Sequence, residues 1–186
     1  MEAFSVGTLA GAGCFRCGRC DFAIALHESD AVPECPSCGH SSFARASLFG
    51  PRADAREARP AGEEPEWLET ARDALGTGGN YIAFDDDEGV QVVPLLEGWT
   101  RIGRSLAAHV RFDDPTVSRR HALLYRDAEH ARLLDDRSLN GVFRNGSRVD
   151  LEELRDGDEI AVGRFRLYFL KGAAARSAAE ASSAVG

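Results

Sequence analysis

Two sets of side chains in this chain have the types and spacing to hold other atoms. The first is a pair of cysteine turns, Cys17-x2-Cys20 and Cys35-x2-Cys38, with fourteen residues between them. Two residues between thiolates let both sulfurs point at one ion, and four sulfurs make a closed tetrahedral site with no open position for catalysis, which suits one structural Zn2+. Cys14-x2-Cys17, followed by Gly18, is the alternative first pair. Cys17 and Cys20 are preferred because Phe15 and Phe22 then flank the turn as Phe43 follows the second one, leaving Cys14 a spare thiol. The second set is Gly103-Arg104, Ser118-Arg119-Arg120-His121 and Asn140-Gly141. Arginine, serine and asparagine on neighbouring loops offer positive charge and hydrogen-bond donors without an evident base or nucleophile. Such a rim suits a phosphate that is held and not hydrolysed.

The elements that must position these groups differ in kind. Residues 1–13 have scattered glycines and no periodicity, and are expected to be a mobile arm. A cysteine module over 14–45 is too small to build much core, so metal binding should supply most of its stability. Residues 46–79 read as a linker rich in Pro, Gly and charge, with a short helix at 65–75 that starts at Pro65, ends before Gly76 and carries Trp67, Leu68, Ala71, Ala74 and Leu75 on one face. From Tyr81 the apolar period changes to two, and turns recur every few residues up to Lys171. This predicts, over 80–171, a mainly β unit of two packed antiparallel sheets. Phe165, Leu167 and Phe169 should face the core, with Arg164, Arg166 and Tyr168 in solvent. The acidic run Asp85-Asp86-Asp87-Glu88-Gly89 reads as a solvated hairpin turn, and the Ala/Ser-rich tail 172–186 as disordered.

At these loops the sequence resembles the forkhead-associated (FHA) domain, a module that reads phosphothreonine. Gly-Arg, Ser-x-x-His and Asn-Gly occur in its order and spacing, with Val142 where many relatives have Thr. The resemblance implies the FHA two-sheet β-sandwich. It implies phosphate contacts from Arg104, Ser118 and Arg119, a grip on the ligand backbone by Asn140, and structural support from Gly103, His121 and Gly141. The segments FRCGRCDFAIAL and CPSCGHSSF resemble the zinc ribbon family. In that turn Gly39 follows the second pair, while Asp21 takes the equivalent place after the first and tolerates left-handed geometry better than most residues.

The functional expectation is a phosphothreonine-dependent adaptor in bacterial serine/threonine kinase signalling. Its partner is a phosphothreonine protein, a kinase or a kinase substrate, with the ribbon as a second interaction surface. A zinc-ribbon nucleic-acid binder or transcription-associated regulator is the alternative. It is disfavoured by a net charge of -8 and by Asp21, Glu28, Asp30 and Glu34, which more than cancel Arg16 and Arg19. An enzyme is not expected: Ser118, His121 and Asp113 imitate a triad, but no Gly-x-Ser-x-Gly elbow or Gly-x4-Gly-Lys phosphate loop is present. No apolar run reaches membrane-span length and Met1-Glu2-Ala3-Phe4 lacks a basic leader, so the expected place is the cytoplasm and no membrane contact is expected. Thr70, three residues before Asp73, has the pattern of a tethered phospho-ligand, but burial of Trp67 and Leu75 favours a helix there.

Overall fold

The cysteine turns sit at the ends of short strands, as two turns sharing one ion require. A computed structural model describes residues 3–47, 61–76, 78–86 and 88–172. Its first sheet contains β1 (Ala3–Ser5), β2 (Gly13–Cys17), β3 (Ala23–Leu26) and β4 (Ser42–Ala46), in the order β1-β4-β2-β3. Phe15, Ile24 and Phe43 are fully buried in it, packed with Leu26, Val32, Cys17 and Cys35. The expected mobile arm is corrected here. β1 pairs with β4, placing Phe4 opposite Phe43 and edge-on to Phe15 at 5.3 Å, and Leu9 bridges Ala31. A core this small recruits an extra aromatic ring, and a strand of three residues is too short to show a period.

About two turns of helix follow and then the sandwich. α1 (Trp67–Asp73) precedes β5 (Asn80–Asp86), β6 (Gly89–Leu95), β7 (Gly98–Gly103), β8 (Val110–Arg111), β9 (Ala122–Arg126) and β10 (Ala131–Asp135). β11 (Val142–Arg144), β12 (Ser147–Val149), β13 (Leu151–Glu153), β14 (Glu159–Val162) and β15 (Phe165–Lys171) complete it. One sheet has the order β13-β10-β9-β7-β8 and the other β12-β11-β14-β15-β5-β6. All pairs are antiparallel except β7–β8, where Ile102 and Gly103 lie alongside Val110 and Arg111. Ile82, Ile102, Leu124, Leu133, Ile160, Leu167 and Phe169 fill the space between the sheets. Val142 is the first residue of β11, and the β5–β6 hairpin is closed by Asp86 opposite Gly89, with Asp87 of the acidic run outside the described residues.

The outer face of β15 departs from expectation. Tyr168 and Leu170 are buried with Ala83, because Leu68 and Ala71 of α1 pack on them and Trp67 meets Tyr168 edge-on at 5.7 Å. Alternation along β15 therefore separates two buried faces, not core from solvent. Thr70 is exposed within α1 and its carbonyl accepts the Ala74 N–H, so its backbone is helical, not extended. Residues 48–60 of the linker and the tail from 173 onward lie outside the described residues.

Candidate functional site

Three loops at one end of the sandwich carry the phosphate-suited side chains, and backbone hydrogen bonds fix their spacing. The Arg104 N–H donates to the Ser118 carbonyl at 3.0 Å and the Ser105 N–H to Arg119 at 3.1 Å, joining the loop after β7 to the loop before β9. Gly103 permits this approach, since a Cβ there would run into the Arg119 carbonyl. His121, fully buried, joins the second loop to the third: Nδ1 accepts the Ser118 N–H at 3.0 Å and Nε2 lies 3.3 Å from the Gly141 carbonyl. That pairing defines the tautomer, with the proton on Nε2. Burial drives the His121 pKa down to about 4, against the smaller opposing effects of the Gly141 carbonyl and Asp135. Gly141 adopts φ +90°, and its N–H donates to Ser138 Oγ at 2.8 Å.

Both imidazole nitrogens are thus committed to backbone groups, and neither is left to deprotonate Ser118. Ser118 Oγ accepts the Leu139 N–H at 3.0 Å and keeps its own hydrogen for donation. It lines a cleft of about 420 Å³ with Ser105, Arg119, Leu139 and Ala25. Arg119 is exposed, with no ion pair among the described residues. A second cleft, of about 660 Å³, shares Ser105 and Arg119 and reaches Arg104, Asp113 and Asp30.

Arg104 and Asn140 differ from the rest of the rim in being filled by the cysteine module itself. Arg104 is only 8% exposed. Its Nε donates to Asp113 at 3.0 Å, Nη1 to the Ala25 carbonyl at 2.9 Å and Nη2 to Asp30 Oδ2 at 2.8 Å. Burial opposes the charge on Arg104, but the two carboxylates outweigh it and raise the pKa. Burial likewise opposes ionisation of Asp30, yet the His27 N–H and Arg104 hold its carboxyl below the ordinary range. Asn140 pairs with both main-chain groups of one residue: its Oδ1 accepts the Ala23 N–H and its Nδ2 donates to the Ala23 carbonyl, each at 2.7 Å. The Ala25 N–H donates to the Pro115 carbonyl at 2.8 Å. Asp30, Ala23, Ala25 and Pro115 are rim residues that sequence reasoning missed. Asp30 counted there only as charge balance, and backbone partners leave no mark in residue type.

The four candidate ligands also come together. The sulfurs of Cys17, Cys20, Cys35 and Cys38 all lie within 4.8 Å of one another, with Cys17–Cys38 at 3.6 Å and Cys20–Cys35 at 3.4 Å. Sulfurs around one tetrahedral zinc stand about 3.8 Å apart, so the donor set fits the ion. The two turns are built alike. Asp21 at φ 60° and Gly39 at φ 67° donate their N–H groups to the Cys17 and Cys35 carbonyls, and each first cysteine donates its own N–H five residues on, to Phe22 and His40. Burial raises Cys17, whereas Cys20, also desolvated, is brought to about 7 by the Phe22 N–H and the neighbouring thiols. Cys14 is buried on β2, outside this group.

These two assemblies match two family models, the FHA domain over residues 100–163 and a zinc-ribbon containing domain over residues 1–47. The chain belongs to the FHA-domain family and carries a zinc-ribbon domain at its N-terminus. The oxoglutarate dehydrogenase inhibitor of Corynebacterium efficiens is 32% identical over 151 residues, which cover 81% of this chain and all of that protein. The inhibitor of Corynebacterium jeikeium is 42% identical over 73 residues, 39% of this chain, and here the match spans about half the relative's length, 51%. The FHA domain of FhaA, solved in complex with the intracellular domain of Rv3910, is 35% identical over 49% of this chain and 99% of its own, with a TM-score of 0.47.

The buried imidazole gives the sandwich a defined pH response. Its proton affinity is lower folded than unfolded, so its contribution is complete above about pH 6.5 and is lost as pH falls toward about 4. The loss should be about 3 kcal/mol. Urea unfolding followed by the fluorescence of Trp67 and Trp99 should show a steeper decline across this window for wild type than for His121→Gln. Parallel declines would contradict the bracing geometry.

Proposed function

We propose that the chain is a phosphothreonine-dependent adaptor in serine/threonine kinase signalling, a binding protein and not an enzyme. The observation that carries this reading is what the rim already holds: an anion on Arg104 and the main chain of an extended residue on Asn140, the two kinds of group that a phosphorylated peptide presents together. A phosphate carries more charge than a carboxylate and more acceptor oxygens. Arg104 would take it through its guanidinium, Ser118 would donate its hydroxyl from across the rim, and Arg119 would close from solvent. Asn140 would hold the ligand backbone, while Gly103, His121 and Gly141 keep the loops in register. The partner class is a phosphothreonine protein, either a kinase or a kinase substrate, in the cytoplasm. Support comes from the FHA match over the rim loops and from relatives named as inhibitors of an enzyme, oxoglutarate dehydrogenase.

Two charge-assisted hydrogen bonds should separate phosphorylated from bare peptide by about 3 to 6 kcal/mol, a hundredfold or more. A degenerate peptide pool centred on phosphothreonine, titrated beside the same pool without phosphate, tests this. Arg104→Ala or Ser118→Ala should abolish the preference with the fold intact. Equal affinity of wild type for both pools would end the proposal.

The ribbon would hold one structural zinc through Cys17, Cys20, Cys35 and Cys38, with Cys14 as packing. The equivalent turns and the clustered sulfurs support that assignment. Bound zinc would fix all four sulfurs as thiolates and close the turns on each other. Metal analysis should find one zinc per chain in wild type and in Cys14→Ser, and none in Cys38→Ser. Loss of zinc from Cys14→Ser with retention in Cys20→Ser would reverse the choice of first pair.

A further inference from the structure

The ribbon edge that meets the rim is a sheet edge, and this decides what the contact is. β3 is the outermost strand of its sheet: Ala23, Ile24, Ala25 and Leu26 pair on one side with β2 and, among the described residues, have no strand on the other. In an antiparallel edge strand, alternate residues turn their N–H and C=O groups outward, leaving a template for another chain. Here those residues are Ala23 and Ala25, and each of their four outward groups finds a rim partner. Asn140 takes both groups of Ala23, Pro115 accepts from the N–H of Ala25, and Arg104 donates to its carbonyl. Five residues on from Ala25, after the turn that begins at His27, Asp30 enters the guanidinium of Arg104, its Oδ2 shared with the His27 N–H at 2.8 Å.

We infer that residues 23–30 of the zinc ribbon are a built-in ligand of the rim, so that a phosphothreonine segment from another protein must displace the ribbon to bind. The inference rests on the phosphothreonine reading of the rim. The ribbon supplies in unphosphorylated form the two recognition elements a phosphopeptide would bring: an extended backbone for Asn140 and an anion for Arg104. Asp30 carries one negative charge where a phosphothreonine carries nearly two, so contact for contact the phosphate wins. The ribbon offsets this by being part of the same chain, which sets its effective concentration on the order of millimolar. The rim is thereby closed to weak or unphosphorylated competitors and opened by a tight phospho-ligand, and opening uncovers the β3 edge and Asp30. Linkage makes the effect reciprocal: whatever captures the released ribbon must tighten phosphopeptide binding.

A plug occupying the rim nine-tenths of the time weakens apparent affinity about tenfold. The test uses the full chain loaded with zinc and the degenerate phosphothreonine pool. Asp30→Asn removes the charge while an amide oxygen can still accept from His27, and it should bind the pool about tenfold more tightly than wild type. Zinc content and exchange protection along β2 and β4 show whether the variant ribbon remains folded. In wild type, which needs no substitution, saturating phosphorylated pool should speed amide exchange at Ala23 and Ala25, and the unphosphorylated pool should not. Wild type that binds phosphopeptide with Ala23 and Ala25 still protected would overturn the plug while leaving the phosphothreonine reading intact, as would equal affinity of wild type and a folded Asp30→Asn. If neither protein distinguishes the pools although exchange shows the ribbon released in Asp30→Asn, the reading of the rim fails, and the inference with it. If neither binding nor exchange changes in Asp30→Asn, Asp30 is not what holds the plug and the inference fails alone.

Discussion

The charge of an arginine that is 8% exposed cannot be left without anions, and the placement of Arg104 constrains everything around it. Asp113 supplies one carboxylate from the sandwich, on the loop after β8, where Arg111 also reaches it at 2.7 Å. The second comes from Asp30 in a different domain. The same side chain therefore answers two needs: the sandwich must neutralise a buried charge, and the ribbon must cover the open edge of β3. One loop geometry serves both, because Arg104 reaches a carbonyl and a carboxylate at once through separate nitrogens.

The rest of the rim is built to keep that geometry without charge. His121 is neutral because it is buried, and a neutral imidazole can accept from one loop and donate to another, which a protonated one cannot. Gly103 allows the close backbone approach on one side of it, and Gly141 supplies the positive φ on the other. Positive charge at the rim is thus confined to the loop arginines, and a pH near neutrality leaves the brace unprotonated. Ribbon and sandwich have separate cores, and the contacts that join them at the rim are polar and mostly to backbone.

Much of this was legible in sequence because the chemistry is carried by residue type at fixed spacing. Paired cysteines, Asp21 and Gly39 specify two left-handed turns, and Gly-Arg, Ser-x-x-His and Asn-Gly specify three loops, before any fold is known. What was not legible depends on tertiary contact. β1 has three residues and is held by Phe4 finding Phe15, and the buried outer face of β15 exists because α1 lies on it. The docking of β3 on the rim uses main-chain groups of alanines, which are silent in sequence. Asp30 looked like one acid among several, and only the fold brings it 2.8 Å from Arg104.

The central claim is that Asp30 and Arg104 act as one pair to hold the ribbon on the rim. A double-mutant cycle tests it directly, with Asp30→Asn, Arg104→Gln and the double variant compared through the opening free energy of the Ala25 amide, measured by hydrogen exchange on the zinc-loaded full chain. The account predicts a coupling energy of about 1 to 3 kcal/mol, most of the effect of either substitution vanishing in the presence of the other. Additive effects, within about 0.5 kcal/mol, would show that the two side chains do not act together and would contradict it.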